Sequence, residues 1–273
     1  MDQNIKTQVK EVLNHTNHRQ YALPEKQWLL YQEWHNVLLL HWSVDPDLIR
    51  GLIPEPLQLD LINETAYISI IGFTVKNFQT ALTPLPFVSS FDEVNVRTYV
   101  TYNGIKGIYF FSLHADKFSA VWGAKLLYQL PYLKATINVS DSILYAKNEY
   151  SQKLNICLNH STFSPIQKDI LDVWLTERHA FYQSVGGNLY RCDIHHKEWP
   201  LHKMVIYSGQ IRAQLGEKNE EIIIDGHPNK VHYAPQLKVL FWNRIKVSNR
   251  HHSNIIFTIG KKYHLQNKLN KPL

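Results

Sequence analysis

The sequence predicts a mainly β (α+β) protein, an antiparallel β-barrel or sandwich with a few helices outside it. Apolar runs of strand length recur along most of the 273-residue chain, and turn residues separate them. Only two segments in the body of the chain have helical periodicity. Because 44% of the residues are hydrophobic, the chain can bury a large core, and one domain of roughly 200–250 residues with short extensions is expected.

Turn and capping residues divide the first half of the chain into strands. The polar residues 1–26 come first and are compatible with a helix. Asp45 can cap a short helix that begins at Pro46, and the Asn-Gly pair at 103–104 is a strong hairpin signal. The loop over 76–90 has the length of a binding segment or lid. The predicted strands of this half are 35–44, 57–61, 65–75, 91–100 and 107–115.

Two helices are predicted in the second half of the chain. Asp116 can cap a helix over 117–129. The Ser-Pro pair at 164–165 opens a second helix, whose apolar stripe reaches Tyr182 and which the Gly-Gly pair at 186–187 ends. The predicted strands of this half are 133–140, 143–150, 153–160, 189–196, 203–213 and 236–247.

Charge is concentrated at the C-terminal end. Residues 244–273 contain seven of the 29 Lys and Arg residues and no Asp or Glu, which leaves 22 basic and 23 acidic residues elsewhere. A basic tail can touch phosphates through its field. Since no recognised reading motif accompanies this charge, we do not expect nucleic-acid binding.

Targeting features are missing from the sequence. No run of about 18 apolar residues is present, so we expect no membrane span. The polar N-terminus lacks an apolar core of the kind that secretory signals have, and Cys157 and Cys192 are the only cysteines. We therefore expect a cytoplasmic protein with two free thiols.

One predicted strand, FDEVNVRTYV over 91–100, has a polar face. Val94 and Val96 lie on its apolar face, while Glu93, Asn95 and Arg97 lie on the other. Its hairpin partner is apolar on both faces, so exposure of the polar face to bulk water is not expected. A closed barrel would place this face in the interior, where it lines a ligand pocket or forms a structural cross-strand salt bridge.

Ordered motifs along the chain resemble a known family. They are HWSVDPDLIRGLIPEPLQLD, FDEVNVRTYV, GIYFFSLHAD, LPYLKA, LTERHAFY and HHKEWPL. Together they resemble the YqjF-like family of uncharacterised bacterial proteins, which is grouped with the acetoacetate decarboxylase-like superfamily. The resemblance runs from about Trp28 to Val247 and implies a large antiparallel β-barrel with an internal pocket. It divides the chain into an N-terminal extension (1–26), the barrel domain (27–247) and a basic tail (248–273).

The resemblance also implies which chemistry is retained. Decarboxylases of the superfamily form a Schiff base on a lysine that follows a proline, and here Pro131 is followed by Tyr132. Glu93 corresponds to the pocket glutamate of these enzymes. Lys134, two positions beyond Tyr132, has the wrong register for a simple replacement, although it would point to the same face. We therefore expect acid/base chemistry without an imine, with Glu93 and Tyr132 as the catalytic pair.

Further candidate ligand-binding residues lie outside the polar strand. Lys125 could turn inward as a cation or lie on the wet side of its helix. The predicted helix through LTERHAFY places Arg178 and Tyr182 on one face, as ligand contacts or as a surface charge over packed aromatic rings. His196 could line the barrel mouth beside Trp199.

No metal and no cofactor are expected. His195 and His196 are adjacent in a predicted strand, so their side chains point to opposite faces and do not easily share one ion.

Three kinds of function fit these residues. The first is an enzyme that acts on a small anionic or carbonyl-containing ligand, such as a decarboxylase, hydratase or isomerase without a Schiff-base lysine. The second is a binding protein that uses the same groups only for recognition. The third is a structural or partner-binding protein with a basic tail. The sequence determines neither the ligand nor the oligomeric state.

Overall fold

The computed structural model describes residues 3–81, 90–117, 130, 132–148, 154–215, 220–248 and 261–265. The helices in these ranges are α1 (Gln3–Asn14), α2 (Pro46–Ile49) and α3 (Ile170–Thr176), with a 3₁₀ turn at Arg50–Leu52. The strands are β1 (Leu30–Val44), β2 (Gln58–Leu59), β3 (Ala66–Thr80), β4 (Ser90–Tyr102), β5 (Ile105–Ala115), β6 (Tyr132–Lys134), β7 (Thr136–Val139), β8 (Ile143–Lys147), β9 (Leu154–Pro165), β10 (Ala180–Val185), β11 (Asn188–His196), β12 (His202–Leu215), β13 (Glu220–Asp225), β14 (Lys230–Phe241), β15 (Ile245–Ser248) and β16 (Lys261–Leu265).

Seven strands close into a ring. Their order is β1, β3, β4, β5, β10, β11 and β14, and β14 pairs in turn with β1. Every neighbouring pair is antiparallel except β5 and β10, which are parallel. The predicted mainly β, barrel-like fold is therefore confirmed.

The interior of the ring holds one of two large apolar cores. A single buried cluster takes a side chain from each ring strand: Leu39, Phe73, Tyr99, Leu113, Phe181, Ile194 and Leu237. Side chains alternate between the two faces of a strand, so only the enclosed face can bring all seven together.

The other large core lies between the ring and an outer layer of strands. β12, β9, β8 and β7 continue the sheet from β14 and cover part of the ring. Val94 and Val96 on β4 pack there with Leu144 and Ile156 from the outer layer. Glu93, on the opposite face of β4, is consequently directed inward, as the polar strand predicted.

The second predicted helix is shorter than expected. Asp169 and Asp172 form a capping box that begins α3, but the helix ends at Thr176. Phe181 and Tyr182 belong to β10, because they pair with β5 and complete the ring. The Gly-Gly pair at 186–187 has φ angles of 57° and 78° and forms the turn between β10 and β11, not a helix stop.

The remaining expectations concern the 117–129 helix and the two ends of the chain. Residues 118–129 of that predicted helix lie outside the described residues. At the N-terminus, α1 packs Val9 and Val12 against Trp28 and Leu240. In the predicted tail, β16 pairs in parallel with β13. The domain limits stay predictions, and no described helix has the length and hydrophobicity needed to cross a membrane.

Candidate functional site

Glu93 and Tyr132 meet inside the barrel. Tyr132 on β6 pairs with Leu113 of β5, and Leu113 pairs with Asn95 of β4. The side chain of Tyr132 therefore reaches the inward face of β4. The Tyr132 hydroxyl donates to Glu93 Oε2 at 2.7 Å, and the Asn95 amide donates to Glu93 Oε1 at 3.1 Å.

The carboxyl group of Glu93 is held near its midpoint of ionisation at neutral pH. Burial raises its pKa to about 7, although the hydrogen bonds from Tyr132 and Asn95 and the charge of Arg97 all act to lower it. Burial, followed by the nearby Glu93, also raises the pKa of Tyr132 well above its ordinary value, so the phenol remains a hydrogen-bond donor.

Arg97 brings a positive charge to the same face of β4. It is only 5% exposed, and burial lowers its pKa, while Tyr99 and Glu93 act in the opposite direction. Among the described residues no carboxylate oxygen lies within 4.0 Å of its guanidinium. Its Nε and the Oδ1 of Asn95 have no hydrogen-bond partner within the described part of the chain. One donor, on Arg97, and one acceptor, on Asn95, are thus left unsatisfied on the face of β4 that carries Glu93.

A series of hydrogen-bonded polar side chains, the polar chain, crosses the barrel interior beside Arg97. Ser69, which pairs with Arg97 across the β3–β4 ladder, contacts the Tyr99 hydroxyl and His41 Nδ1, each at 2.7 Å. His41 Nε2 lies 3.2 Å from His232 Nδ1, and His232 Nε2 lies 2.6 Å from Asp172 Oδ1. All five side chains are buried.

The tautomers of His41 and His232 follow from Asp172, the acceptor at the end of the polar chain. Asp172 accepts from Lys230 at 2.5 Å, so it is a carboxylate and His232 Nε2 must donate to it. His232 Nδ1 then accepts from His41, and His41 Nδ1 accepts from Ser69, which in turn accepts from Tyr99. Burial lowers the pKa of both histidines, so a neutral chain that donates in one direction is the stable form.

Sequence reasoning missed this chain. The alternation of side chains along a strand was the available signal. His41 is two residues from the interior Leu39 in β1, and His232 is two residues from the interior Ala234 in β14, so both histidines lie on interior faces. No local pattern joined the two histidines, because His41 and His232 are 191 residues apart in sequence.

Arg178 and Tyr182 do not share a helix face and point to different places. Arg178 is buried, binds Asp60 Oδ2 through Nη1 at 2.5 Å, and stacks over the rings of Trp174 and Tyr99. Tyr182 packs in the outer core and donates to the Ile105 carbonyl at 2.8 Å. Arg178 therefore borders the interior polar chain at Tyr99, whereas Tyr182 lies on the other face of the ring.

The remaining predicted residues are spread around the barrel. Trp199 packs in the interior core, and its ring centroid lies 5.6 Å from that of His196. Lys125 lies outside the described residues. Lys134 donates from Nζ to the backbone carbonyls of Asp116 and Ala135.

A surface pocket of about 440 Å³ lies elsewhere, between β9, β12 and the turn after β13. Asn155, Gly209, Arg212 and His227 are among its lining residues. None of the predicted site residues lines it.

Solved structures of other proteins share this fold. An acetoacetate decarboxylase-like enzyme from Sphingomonas wittichii RW1 superposes with a TM-score of 0.52 at 12% identity, covering 84% of this chain and 98% of that one. The enduracididine biosynthesis enzyme MppR complexed with pyruvate superposes with a TM-score of 0.52 at 10% identity, covering 84% and 93%. At these identities the likeness shows the fold, which is acetoacetate decarboxylase-like.

The family is narrower than the fold. Residues 31–238 match the family DUF2071, described as an uncharacterized conserved protein, and the chain belongs to it. The chain is also 37% identical over 231 residues to the uncharacterized protein YqjF of Bacillus subtilis (strain 168), covering 81% of this chain and 93% of that protein. The resemblance found in the sequence is thus confirmed.

Proposed function

We propose that the barrel interior beside Glu93 binds a small anionic carbonyl compound and that Glu93 and Tyr132 exchange a proton with it. One observation carries this proposal: a buried carboxyl group with a pKa of about 7, hydrogen-bonded to Tyr132, lies on the same strand face as Arg97, a buried guanidinium without an ion pair among the described residues. Perturbed ionisable groups that cluster in this way are common at reactive sites.

Arg97 would bind the negative group of the ligand. A charge in a protein interior costs several kcal/mol unless it is paired, and a ligand carboxylate would provide the missing partner. The unpartnered Oδ1 of Asn95 could accept from a ligand hydroxyl or from an ordered water. Pyruvate, which is bound to MppR in a structure of the same fold, has the carboxylate and the carbonyl group that this arrangement would bind.

Glu93 and Tyr132 would carry out the proton transfer. With a pKa of about 7, Glu93 keeps a substantial carboxylate fraction at neutral pH and is a stronger base than an ordinary glutamate, which suits a general base. It would take the proton from the carbon next to the carbonyl. The electrons of the broken C–H bond would move to the carbonyl oxygen. Once Glu93 holds the proton from carbon, the Tyr132 hydroxyl would turn its one hydrogen from Glu93 to that oxygen.

The alternative is a binding protein without turnover. It is favoured by the side chain that follows Pro131: a phenol cannot form the imine on which decarboxylation in this superfamily depends. In that case Arg97, Glu93 and Tyr132 only recognise the ligand.

Calorimetric titration with pyruvate and acetoacetate tests the binding site. We expect Arg97→Met to abolish binding, Arg97→Lys to retain part of it, and Arg212→Met, in the surface pocket, to leave it unchanged. Thermal melts establish that each variant is folded. Equal binding by the wild type and Arg97→Met, or a loss confined to Arg212→Met, would contradict the interior site.

Proton exchange separates the enzyme from the binding protein. In D₂O, an enzyme should accelerate the replacement of the pyruvate methyl protons by deuterium, which ¹H NMR measures. Glu93→Gln should abolish that acceleration. A binding protein should show affinity without exchange. In either case, borohydride should trap no adduct with acetoacetate. An adduct lost in Lys134→Arg would restore the Schiff-base mechanism and refute proton transfer without an imine.

A further inference from the structure

Four side chains from three separate parts of the chain converge near the end of β11. His18 comes from the segment after α1, Glu177 and His179 come from the link between α3 and β10, and His196 is the last residue of β11. One nitrogen or oxygen atom from each of His18, Glu177 and His196 lies within 4.8 Å of the others.

Hydrogen bonds leave one lone pair free on each of these three residues. His18 Nε2 donates to the His196 carbonyl at 2.8 Å, so His18 Nδ1 carries a lone pair. His196 Nδ1 donates to the Lys197 carbonyl at 2.7 Å, while Nε2 lies 3.4 Å from the Arg178 carbonyl, a much longer contact. With the proton on Nδ1, His196 Nε2 carries the second lone pair. Such backbone contacts are the outer-shell bonds that orient metal-binding histidines.

Glu177 is oriented in the same way. Its Oε1 accepts from Lys168 Nζ at 3.0 Å and from the Trp199 amide at 3.1 Å. Its Oε2 has no hydrogen-bond partner among the described residues, and neither has His18 Nδ1. His18 and Glu177 therefore each keep one acceptor atom without a donor, and the Nδ1–H form of His196 adds a third. A bound cation would satisfy all three.

His179 supplies a fourth candidate atom. Its side chain is 2% exposed, and within the described part of the chain neither ring nitrogen has a hydrogen-bond partner. The ring centroid lies 5.1 Å from that of His18 and 4.7 Å from that of His196. Buried imidazoles are nearly always hydrogen-bonded, so an unpartnered one needs an explanation.

We infer that His18, Glu177 and His196, completed by His179, form a binding site for a divalent transition metal of the zinc class. Imidazole nitrogens with one carboxylate oxygen are a ligand set that zinc prefers, and four ligands make a closed tetrahedral site. The half-buried His18 leaves a path from the solvent. This site is independent of the function proposed for Glu93.

His195 is excluded from the ligand set, although it also lies near His18 and His179. Its Nε2 donates to the Val12 carbonyl at 2.9 Å, and its Nδ1 accepts from Arg19 Nη1 at 3.1 Å, so both nitrogens are occupied. The sequence-based expectation of no metal rested on the divergence of His195 and His196. Only one of that pair is needed, because the other ligands come from elsewhere.

Zinc titration of the chelator-treated full-length protein tests the site. In competition with a chromophoric chelator, we expect one Zn²⁺ per chain. His18→Gln should weaken binding by at least about tenfold, since even changes outside the first coordination shell cost that much. The matched control is His15→Gln, which alters a nearby exposed histidine outside the ligand set.

Co²⁺ spectra and two further variants test the assignment of ligands. We expect the visible absorption of a tetrahedral Co²⁺ complex in the wild type, altered by Glu177→Gln and retained in His195→Gln. The inference is overturned if the wild type binds no Zn²⁺, if His18→Gln binds as tightly as His15→Gln, or if His195→Gln removes the spectrum while Glu177→Gln preserves it.

Discussion

Glu93 has an acidity set by its neighbours rather than by its residue type. Burial favours the neutral acid, whereas the donors Tyr132 and Asn95 and the positive charge of Arg97 favour the carboxylate. The balance places the pKa at about 7, so a change in one neighbour should move it measurably.

Replacing Tyr132 by Phe should raise the pKa of Glu93. The substitution removes the 2.7 Å hydrogen bond to Oε2 and leaves the ring in place. A hydrogen bond to a charged group is worth about 1.5–3 kcal/mol, which corresponds to about one to two pH units. Titration of the side-chain carboxyl by ¹³C NMR measures the change. Tyr109→Phe, a tyrosine packed against the outer core, is the control and should leave Glu93 unaffected. A lower or unaltered pKa in Tyr132→Phe would disprove this account.

The ring depends on a single parallel contact between β5 and β10. These strands approach closely at Gly107, where an added Cβ would lie 2.7 Å from the Ala180 carbonyl oxygen and 2.8 Å from a ring atom of Tyr182. The backbone oxygen cannot move without displacing β10. The absence of a side chain at this position therefore lets the ring close.

Gly107→Ala should destabilise the protein by about 1–3 kcal/mol through overpacking, as measured by urea unfolding. Gly72→Ala is the matched control, because its Cβ would also approach an atom at 2.7 Å, but that atom is a methyl group of the Leu144 side chain, which can rotate away. We expect a smaller loss of stability for Gly72→Ala than for Gly107→Ala. The opposite order would show that closure at Gly107 is not the tighter contact.

Across the whole molecule, buried neutral histidines make stability depend on pH. Burial lowers the pKa of His41, His114 and His232 below 6.5, to about 4 in the case of His114. Between the folded and unfolded pKa values, the unfolded chain binds a proton at each histidine that the folded protein does not. The stability that these histidines contribute is therefore fully present above about pH 6.5 and is lost as the solution is acidified. Glu93, with a raised pKa, acts in the opposite direction between about pH 4.5 and 7.

These four groups together should make the free energy of unfolding fall with acidification near pH 5.5. At pH 5.5 the unfolded chain holds a proton on His114 that the folded protein, with a pKa of about 4 at this residue, does not, and this difference of one proton is worth roughly 1.4 kcal/mol per pH unit. His41 and His232 add to the slope and Glu93 subtracts from it. Urea unfolding at pH values between about 5 and 7.5 measures the slope. His114→Gln should reduce it by about one proton and Glu93→Gln should increase it. A slope unaffected by both variants would refute the assignment.

The sequence by itself determined the mainly β class, the family and the inward polar face of β4. These features depend on local periodicity and on ordered motifs, and period-two alternation fixes the face of Glu93 once its partner strand is apolar on both sides. It did not determine the extent of α3. The apolar spacing around Phe181 fits a helix, but pairing with β5 gives that segment a strand conformation, as tertiary contacts commonly override local preference.

Only the tertiary structure decided which polar side chains meet. The Ser69–His41–His232–Asp172 chain joins three strands and a helix, and His18 reaches His196 across 178 residues of sequence. Periodicity specifies the face on which a side chain lies, but it does not specify which strand will be its neighbour or what will lie opposite. That information comes from the closure of the ring, which brings distant segments into contact at a few ångströms.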